Sequence, residues 1–272
     1  MTQTKKVHAT IIGCGKMGAA LIHGWLAADL LKHADIIDPM GVPESLLSHE
    51  NLFHVKQMAE AELIRTDIVI LCVKPQIMDV VCAGLKNYIP SGVPVLSIAA
   101  GKDIAYYEQQ FSANTPLIRV MPNLPATVGK GISALYANKA VSAAHKNIAQ
   151  ELMNAVGQTL WLDDESHMDA VTALSGSGPA YIFYMIEAMS AAGEKIGLTT
   201  KQASMLARQT VIGAAALADA ATDVTVEELR QSVASKGGTT EAALTVLMDG
   251  RFQDLMDKAI QAAHDRGKEL AN

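Results

Sequence analysis

The first part of the chain alternates short apolar runs with longer amphipathic segments. Runs such as Ile68-Val69-Ile70-Leu71 contain no polar residue, which is typical of strands covered on both faces of a parallel sheet. Strands are predicted at VHATII (7–12), ADIID (34–38), LFHV (52–55), DIVILCV (67–73), VPVLSIA (93–99) and PLIRVM (116–121). Helices predicted between them include 17–31, 61–67 and 75–89. This alternation predicts a doubly wound α/β domain over residues 1–165.

Beyond residue 165 the strand signals stop and helices are predicted. Residues 179–197 and 200–221 are rich in Ala, Met and Leu and carry few charges. A helix that is apolar nearly all round must be buried on most sides, yet so short a segment has little interior of its own. We therefore expect residues 166–272 to form an all-helical domain that packs against a second copy of the chain. A short helix opening at Thr225 and an amphipathic helix over 251–270 complete it.

Composition places the chain among globular proteins of one or two domains. Half of its 272 residues are apolar, and the net charge of -6 argues against a nucleic-acid or anionic-membrane partner. The three cysteines and eight histidines show no metal-ligand spacing, so we expect buried free thiols, no metal site and a reducing cytoplasm. Neither a signal peptide nor an apolar stretch of about 20 residues, the length of a membrane span, is found.

The motif GCGKMG (13–18) carries the clearest chemistry. It follows a predicted strand and opens a predicted helix, which is the context that a dinucleotide-binding loop requires. Gly13 would make the tight turn, Gly15 would let a pyrophosphate approach the backbone, and Gly18 would allow close helix–strand packing. Lys16 and Met17 complete the loop, with the phosphates at the helix N-terminus. The alternative is a purely structural turn.

Asp38 stands twenty positions past the last glycine, at the end of the second predicted strand. A carboxylate there accepts hydrogen bonds from the adenosine ribose and repels a 2′-phosphate, which favours NADH over NADPH. Two alternatives stay open: Asp38 is a turn residue ahead of Pro39, or neighbouring groups accommodate NADPH. The expected cofactor is thus NADPH or NADH.

Four other stretches contain unusual clusters of Gly, Pro, Ser and Thr. They are CVKP (72–75), RVMPNLPATVGKG (119–131), LSGSGPAY (174–181) and SVASKGGTTEAAL (232–244). In the last, Gly237 and Gly238 allow successive N–H groups to converge on one anion. Thr239 or Thr240 would cap the following helix, whose dipole favours a carboxylate. The alternative is an ordinary connection between helices.

Together with GCGKMG and AAG (99–101), these stretches occur in the order and spacing of one family. The chain resembles the pyrroline-5-carboxylate reductases over nearly its whole length. The resemblance implies a Rossmann domain, a helical domain interlocked with a second subunit, and rings of dimers such as a decamer. It also implies reduction of the cyclic imine L-1-pyrroline-5-carboxylate to L-proline with NAD(P)H, the last step of proline biosynthesis.

The resemblance also implies roles for individual residues. Val73, Lys74 and Pro75 would line the adenosine and ribose side, with Asn123, Ala99 and Ala100 near the nicotinamide. Ser235, Gly237, Gly238 and Thr239 would hold the substrate carboxylate. The hydroxyl of Thr240, the expected catalytic residue, would hydrogen-bond the ring nitrogen. Lys236 stands where the family usually has proline, and Asp38 where many members carry small or basic groups.

Two other functions fit parts of the pattern. A β-hydroxyacid dehydrogenase has a similar two-domain layout and uses a lysine as acid and base, for which Lys195 is the candidate. A nicotinamide-nucleotide-sensing dimer would keep the glycine motif without catalysis. Apart from these alternatives, His167 with Asp169, just ahead of LSGSGPAY, is a candidate proton relay, or simply the start of a helix.

Overall fold

The computed structural model describes residues 6–57 and 65–271. The helix expected over 61–67 therefore lies mostly outside the described residues. Within the described residues, eight strands form one sheet in the order β3-β2-β1-β4-β5-β6-β7-β8, in which only β6 and β7 are antiparallel neighbours. The strands are β1 (Val7–Ile12), β2 (Leu31–Ile37), β3 (Leu52–Val55), β4 (Ile68–Leu71), β5 (Val95–Ser97), β6 (Leu117–Met121), β7 (Gly131–Ala137) and β8 (Gly157–Trp161).

Helices cover both faces of this sheet. Neighbouring residues of a strand point to opposite sides, so they belong to two different apolar clusters. Ile11 of β1 belongs to an apolar cluster with Trp25 and Leu152, whereas Ile12 packs in a second cluster with Cys82 and Tyr107. The helices of this part are α1 (Lys16–Ala27), α2 (Glu44–Leu47), α3 (Met78–Leu85), α4 (Ile104–Gln110), α5 (Ala143–Asn154) and α6 (Met168–Val171). The prediction of a doubly wound α/β domain is confirmed.

Two local predictions were wrong. The helix expected over 17–31 ends at Ala27, since Asp29 takes a left-handed backbone (φ 55) and the N–H of Leu30 bonds the Trp25 carbonyl. Strands β7 and β8 were not expected. Residues on β8 alternate between partly buried and exposed, and neither strand has the continuous apolar run that marks the central strands.

The remaining helices lie mainly in a second compact unit, Ser177–Ala262. The first unit comprises the residues up to Gly176 and those from Ala263 onward. The sequence boundary at residue 165 stays a prediction. Of the residues described in the second unit, only Ala203 and Ala207 are buried. The helices are α7 (Gly178–Lys195), α8 (Thr200–Ala220), α9 (Val226–Ser232), α10 (Thr239–Leu247) and α11 (Arg251–Ala271).

Large apolar side chains are exposed throughout this helical unit. They include Ile182, Phe183, Met205, Leu206, Leu217, Val246 and Leu247. So many exposed apolar groups on neighbouring helices are typical of a protein–protein interface. The side-chain pattern agrees with the expectation that these helices pack against a second copy. None of the helices in the described residues is long and apolar enough to cross a membrane.

Candidate active site

The glycine loop joins the end of β1 to the start of α1. Gly13 has φ 94, and a Cβ there would lie 2.8 Å from the carbonyl oxygen of Cys72. A Cβ on Gly18 would lie 2.7 Å from the carbonyl oxygen of Gly13. A Cβ on Gly15, by contrast, would meet nothing within 4 Å. The loop is thus packed tightly against the end of β4, while the backbone at Gly15 faces open space.

Two cavities meet at Gly15. The adenosine-side cavity, of about 620 Å³, is lined by Gly13, Asp38 and other residues at the ends of β1, β2 and β4. The nicotinamide-side cavity, of about 450 Å³, is lined by Lys16, Met17, Pro75, Ala99, Ala100 and Asn123, among others. Gly15, Val73 and Lys74 line both. The structure thus brings the predicted cofactor residues together around the two cavities, except for Gly18, which lies behind the loop.

These residues fit a nicotinamide dinucleotide. Lys16 begins α1, and the first N–H groups of a helix have no partner within it and carry its positive dipole end. A pyrophosphate at Gly15 meets these donors without a side chain between them. We name the two cavities after the ends of the cofactor that the sequence predicts for their lining residues.

Asp38 holds the glycine loop in place. Its Oδ2 accepts a hydrogen bond from the N–H of Cys14 (2.6 Å), and its Oδ1 accepts one from the N–H of Met40 (2.8 Å). The ring of His54 bonds the Asp38 carbonyl oxygen (3.0 Å). Carboxylate oxygens can accept more than one hydrogen bond, so a ribose hydroxyl can still bind there. Asp38 therefore has the turn role that the sequence left open, and its ribose contact stays a prediction.

The thiols beside the loop are poor nucleophiles. Burial, and to a smaller extent the negative charge of Asp38, raises the pKa of the Cys14 thiol to about 11. Burial, and to a smaller extent the neighbouring Cys14, raises the pKa of the Cys72 thiol to about 12. Burial also raises the pKa of Cys82 to about 11. All three cysteines are free. They are protonated near neutral pH, when the reactive thiolate is scarce.

Asn123 shapes the nicotinamide side from within the protein. It is 8% exposed. Its Nδ2 donates to the Ser175 carbonyl (3.1 Å), and its Oδ1 accepts from the N–H of Ile132 (2.9 Å). Ser175 lies in a π-helical turn, Thr172–Gly176, ahead of α7. The amide of Asn123 thus bridges Ser175 and Ile132 within the first unit, and its expected nicotinamide contact stays a prediction.

Arg119 and Glu165 form a contact that the sequence analysis did not assign. Nη1 of Arg119 lies 2.9 Å from Oε1 of Glu165, which also accepts from the N–H of Ile104 (2.9 Å). Arg119 belongs to the RVMPNLPATVGKG motif, and its charge inside an apolar strand was the sequence signal that could have identified it. Nothing in the spacing indicated Glu165, because its partners are far along the chain.

The SKGGTT loop forms a tight turn ahead of α10. Gly237 has φ 72, and the N–H of Gly238 bonds the Ser235 carbonyl (2.9 Å). A Cβ on Gly238 would lie 2.5 Å from the Ser235 hydroxyl and 3.0 Å from the Ser235 carbonyl oxygen, so a side chain there would force Ser235 to shift. The capping prediction was wrong: Gly238 is the N-cap, and Thr239 and Thr240 are the first two residues of α10. Backbone geometry at the double glycine decides this.

A side chain of the protein already uses one donor of this turn. The N–H of Gly237 donates to Oε2 of Glu241 (2.5 Å). Ser235, Lys236 and Thr239 are exposed in the single chain, and Thr240 is partly exposed. An N–H group of the loop therefore binds a carboxylate, which is the chemistry predicted for its substrate.

The other two candidate catalytic residues, Lys195 and His167, are not among the residues that line these cavities. Lys195 is exposed in the last turn of α7, where a lysine is expected from the helix dipole. His167 is exposed at the end of a short 3-10 helix, Glu165–His167. Across the described ranges, no three His, Cys, Asp or Glu residues are grouped so that they could hold a metal ion.

Family models match both parts of the chain. The model described as pyrroline-5-carboxylate reductase dimerisation matches residues 165–270. The model described as NADP oxidoreductase, coenzyme F420-dependent, matches residues 8–101. The helical part is therefore a dimerisation domain, and the chain associates with itself.

Whole proteins and solved structures agree with this. The pyrroline-5-carboxylate reductase of Pseudomonas aeruginosa is 43% identical over 262 residues, which is 96% of this chain and 95% of that protein. The enzyme of Coxiella burnetii has a TM-score of 0.91 at 35% identity, covering 98% of this chain and 100% of its own. A Plasmodium falciparum pyrroline carboxylate reductase, solved with NADP bound, has a TM-score of 0.83 at 29% identity, covering 99% and 100%. The chain belongs to the pyrroline-5-carboxylate reductase family.

Proposed function

We propose that this chain reduces L-1-pyrroline-5-carboxylate to L-proline with NAD(P)H, in the last step of proline biosynthesis. The observation that carries the proposal is the pair of cavities meeting at Gly15, walled by the motifs of this family. Membership of the family disfavours the β-hydroxyacid dehydrogenase, whose candidate Lys195 is an ordinary helix-terminal lysine. The nicotinamide, when bound, supplies the hydride.

The cofactor assignments divide between the two cavities. We assign Gly13, Asp38 and Val73 to the adenosine side. Lys74 lines both cavities, and its charge suits the phosphates that join them. Pro75, which the sequence places on the adenosine side, lines only the nicotinamide-side cavity. We therefore assign it there with Ala99, Ala100 and Asn123, and place Lys16 and Met17 at the helix start. Gly18 supports the loop by admitting α1 close behind it.

We assign the substrate carboxylate to the SKGGTT loop. The Gly237 N–H, which now bonds Glu241, becomes available when that carboxylate is displaced, and the exposed Ser235 and Thr239 add hydroxyl donors. The bond between Gly237 and Glu241 supports this assignment, since the loop already binds a carboxylate. Lys236 adds a positive charge that attracts an anionic substrate.

Thr240 is the residue proposed to act on the reacting atoms. When the imine binds as its iminium, nitrogen already carries its proton and the adjacent carbon is electrophilic. The Thr240 hydroxyl then accepts a hydrogen bond from that N–H and orients the ring. The rest of the rate enhancement comes from holding the reactants together, which lowers a barrier by about 7–11 kcal/mol in ideal geometry. No strong acid or base is required.

We further propose that dimers join into a ring such as a decamer and that the enzyme works in the cytoplasm. The exposed apolar side chains of the second unit support assembly. Three cysteines that form no disulfide support a reducing compartment. Light scattering on the purified protein measures the assembly directly.

Initial rates with pyrroline-5-carboxylate, using NADH and NADPH side by side, test the function. Thr240→Ala should lower kcat by about 10²-fold, as for loss of one oriented hydrogen bond, and leave the cofactor Kd unchanged. Thr245→Ala is the matched control, since that hydroxyl bonds the Glu241 carbonyl within α10. Cofactor binding without any proline formed would favour the sensing dimer, and unchanged kinetics of Thr240→Ala would remove the role of Thr240.

A further inference from the structure

A partly buried ion pair lies close in sequence to residues that line the nicotinamide-side cavity. The side chains of Arg119 and Glu165 keep only 7% and 22% of their exposed surface. Arg119 precedes Met121, which lines the cavity, by two residues on β6. Removing two charges from water costs free energy that their attraction often fails to repay. Stability alone is therefore a weak reason for this pair.

Glu165 also holds a second wall of the cavity. The oxygen that binds Arg119 accepts the N–H of Ile104, the first residue of α4. Such an N–H has no partner within its helix. The loop leading into α4 contains Ala99 and Ala100, both of which line the nicotinamide-side cavity. One carboxylate oxygen thus ties the end of this loop to β6.

Every second residue of the RVMPN motif (119–123) contacts the segment that leads from Glu165 to α7. Arg119 contacts its first residue. The Cε of Met121 lies 2.8 Å from where a Cβ on Gly176 would be. Asn123 holds the Ser175 carbonyl. We call residues 165–176 the linking segment; it is fixed to the motif at both ends, and Gly176 lines the cavity.

We propose that Arg119 and Glu165 are positioning residues for hydride transfer, whose pairing fixes the linking segment and the 99–103 loop to β6 as walls around the nicotinamide. The inference rests on the proposed function, because it requires the nicotinamide to lie in this cavity. Neither residue is among those that line it, so the pair acts through Ala99, Ala100 and Gly176. The adenosine side shares none of these three walls.

Glu165→Gln tests the pair, because glutamine keeps the size and an acceptor for Ile104 while removing the charge. We expect kcat for proline formation to fall by about 10- to 100-fold, as for a displacement of about 1 Å at the reacting atoms. The Kd for ADP-ribose, which lacks the nicotinamide, should stay within about twofold of the unaltered protein's, an equilibrium change that is small on this scale. Arg119→Lys keeps the charge and should retain more activity than Arg119→Met.

Glu108→Gln is the matched control, since Glu108 is a partly exposed carboxylate of α4 in the same unit that accepts a hydrogen bond from Asn138. Thermal melting checks that each variant folds, and Arg119→Lys carries the test if Arg119→Met does not fold. An unchanged kcat in Glu165→Gln would overturn the proposal, as would an equal loss of ADP-ribose and NADH binding, which would indicate a general structural role. Failure of the unaltered enzyme to form proline would instead overturn the proposed function.

Discussion

The two proposed halves of the active site differ in how far one chain completes them. The cofactor cavities lie within one compact unit, and residues such as Ala99 and Asn123 are buried there at 5% and 8% exposure. The SKGGTT loop lies in the other unit, where Ser235, Gly237 and Thr239 are exposed. We therefore expect cofactor binding to need only a single chain, and substrate binding to need a dimer that surrounds the loop.

The difference follows from how each unit is built. A parallel sheet with helices on both faces buries its apolar strands completely. The long helices α7 and α8 contact one another, yet α7 contains no buried residue among those described. Their apolar surface must find another partner to be stable. Self-association therefore supplies the missing interior of the substrate half.

Breaking the dimer should have the largest effect and should separate the two halves. Leu206→Glu places a charge on an α8 side chain that is 53% exposed in one chain. Burying that charge at an interface is costly, so we expect monomers, a melted helical unit and no proline formed. ADP-ribose binding should survive, because its cavity is complete within one chain. Sedimentation, circular dichroism and calorimetric titration measure these three outcomes.

Leu47→Glu is the control for that change. Leu47 lies on α2 of the sheet unit, and its exposed fraction of 48% is similar to the 53% of Leu206. It should leave both assembly and activity intact. Loss of ADP-ribose binding in the Leu206→Glu monomer would contradict the view that one chain completes the cofactor site.

The glycine loop allows a sharper test inside the cofactor half. Gly15→Ala adds a methyl group in open space, so the melting temperature should hold while NADH binding weakens about 10- to 100-fold. Gly18→Ala pushes a methyl group against the Gly13 carbonyl and should cost about 1–3 kcal/mol of stability. Melting curves and titrations on both variants distinguish the ligand-facing glycine from the packing glycine. Equal effects on stability would contradict this division.

Sequence predicted the cofactor half better than the substrate half for a physical reason. A dinucleotide loop depends on local order, strand then glycines then helix, and the order is visible in GCGKMG. The cap of α10 depends on which backbone conformation Gly237 and Gly238 adopt, which glycines leave open. The Arg119–Glu165 pair joins residues 46 positions apart. Strands β7 and β8 lack a continuous apolar run and depend on their neighbours for pairing.

Asp38 should set the cofactor preference, with a moderate effect. Asp38→Asn keeps an acceptor for the Cys14 N–H, which fixes the loop, and removes the charge that repels a 2′-phosphate. We expect the ratio of kcat/KM for NADPH to that for NADH to rise about tenfold, equivalent to about 1.4 kcal/mol. Asp38→Ser removes both functions and should also weaken NADH binding. An unchanged ratio in both variants would show that Asp38 serves the loop alone.

Glu241 gives the smallest expected effect and tests the substrate half directly. Its carboxylate occupies the Gly237 N–H, a donor that we assign to the substrate carboxylate. Substrate must then displace Glu241, and Glu241→Gln, which binds the N–H less strongly, should lower the KM for pyrroline-5-carboxylate about two- to fivefold. Exposed charges rarely contribute more than about 1 kcal/mol, which sets this size. Glu227→Gln on α9, where Glu227 contacts Arg230, is the control. A raised KM would mean that Glu241 instead holds the turn in its binding shape, as an N-terminal cap of α10.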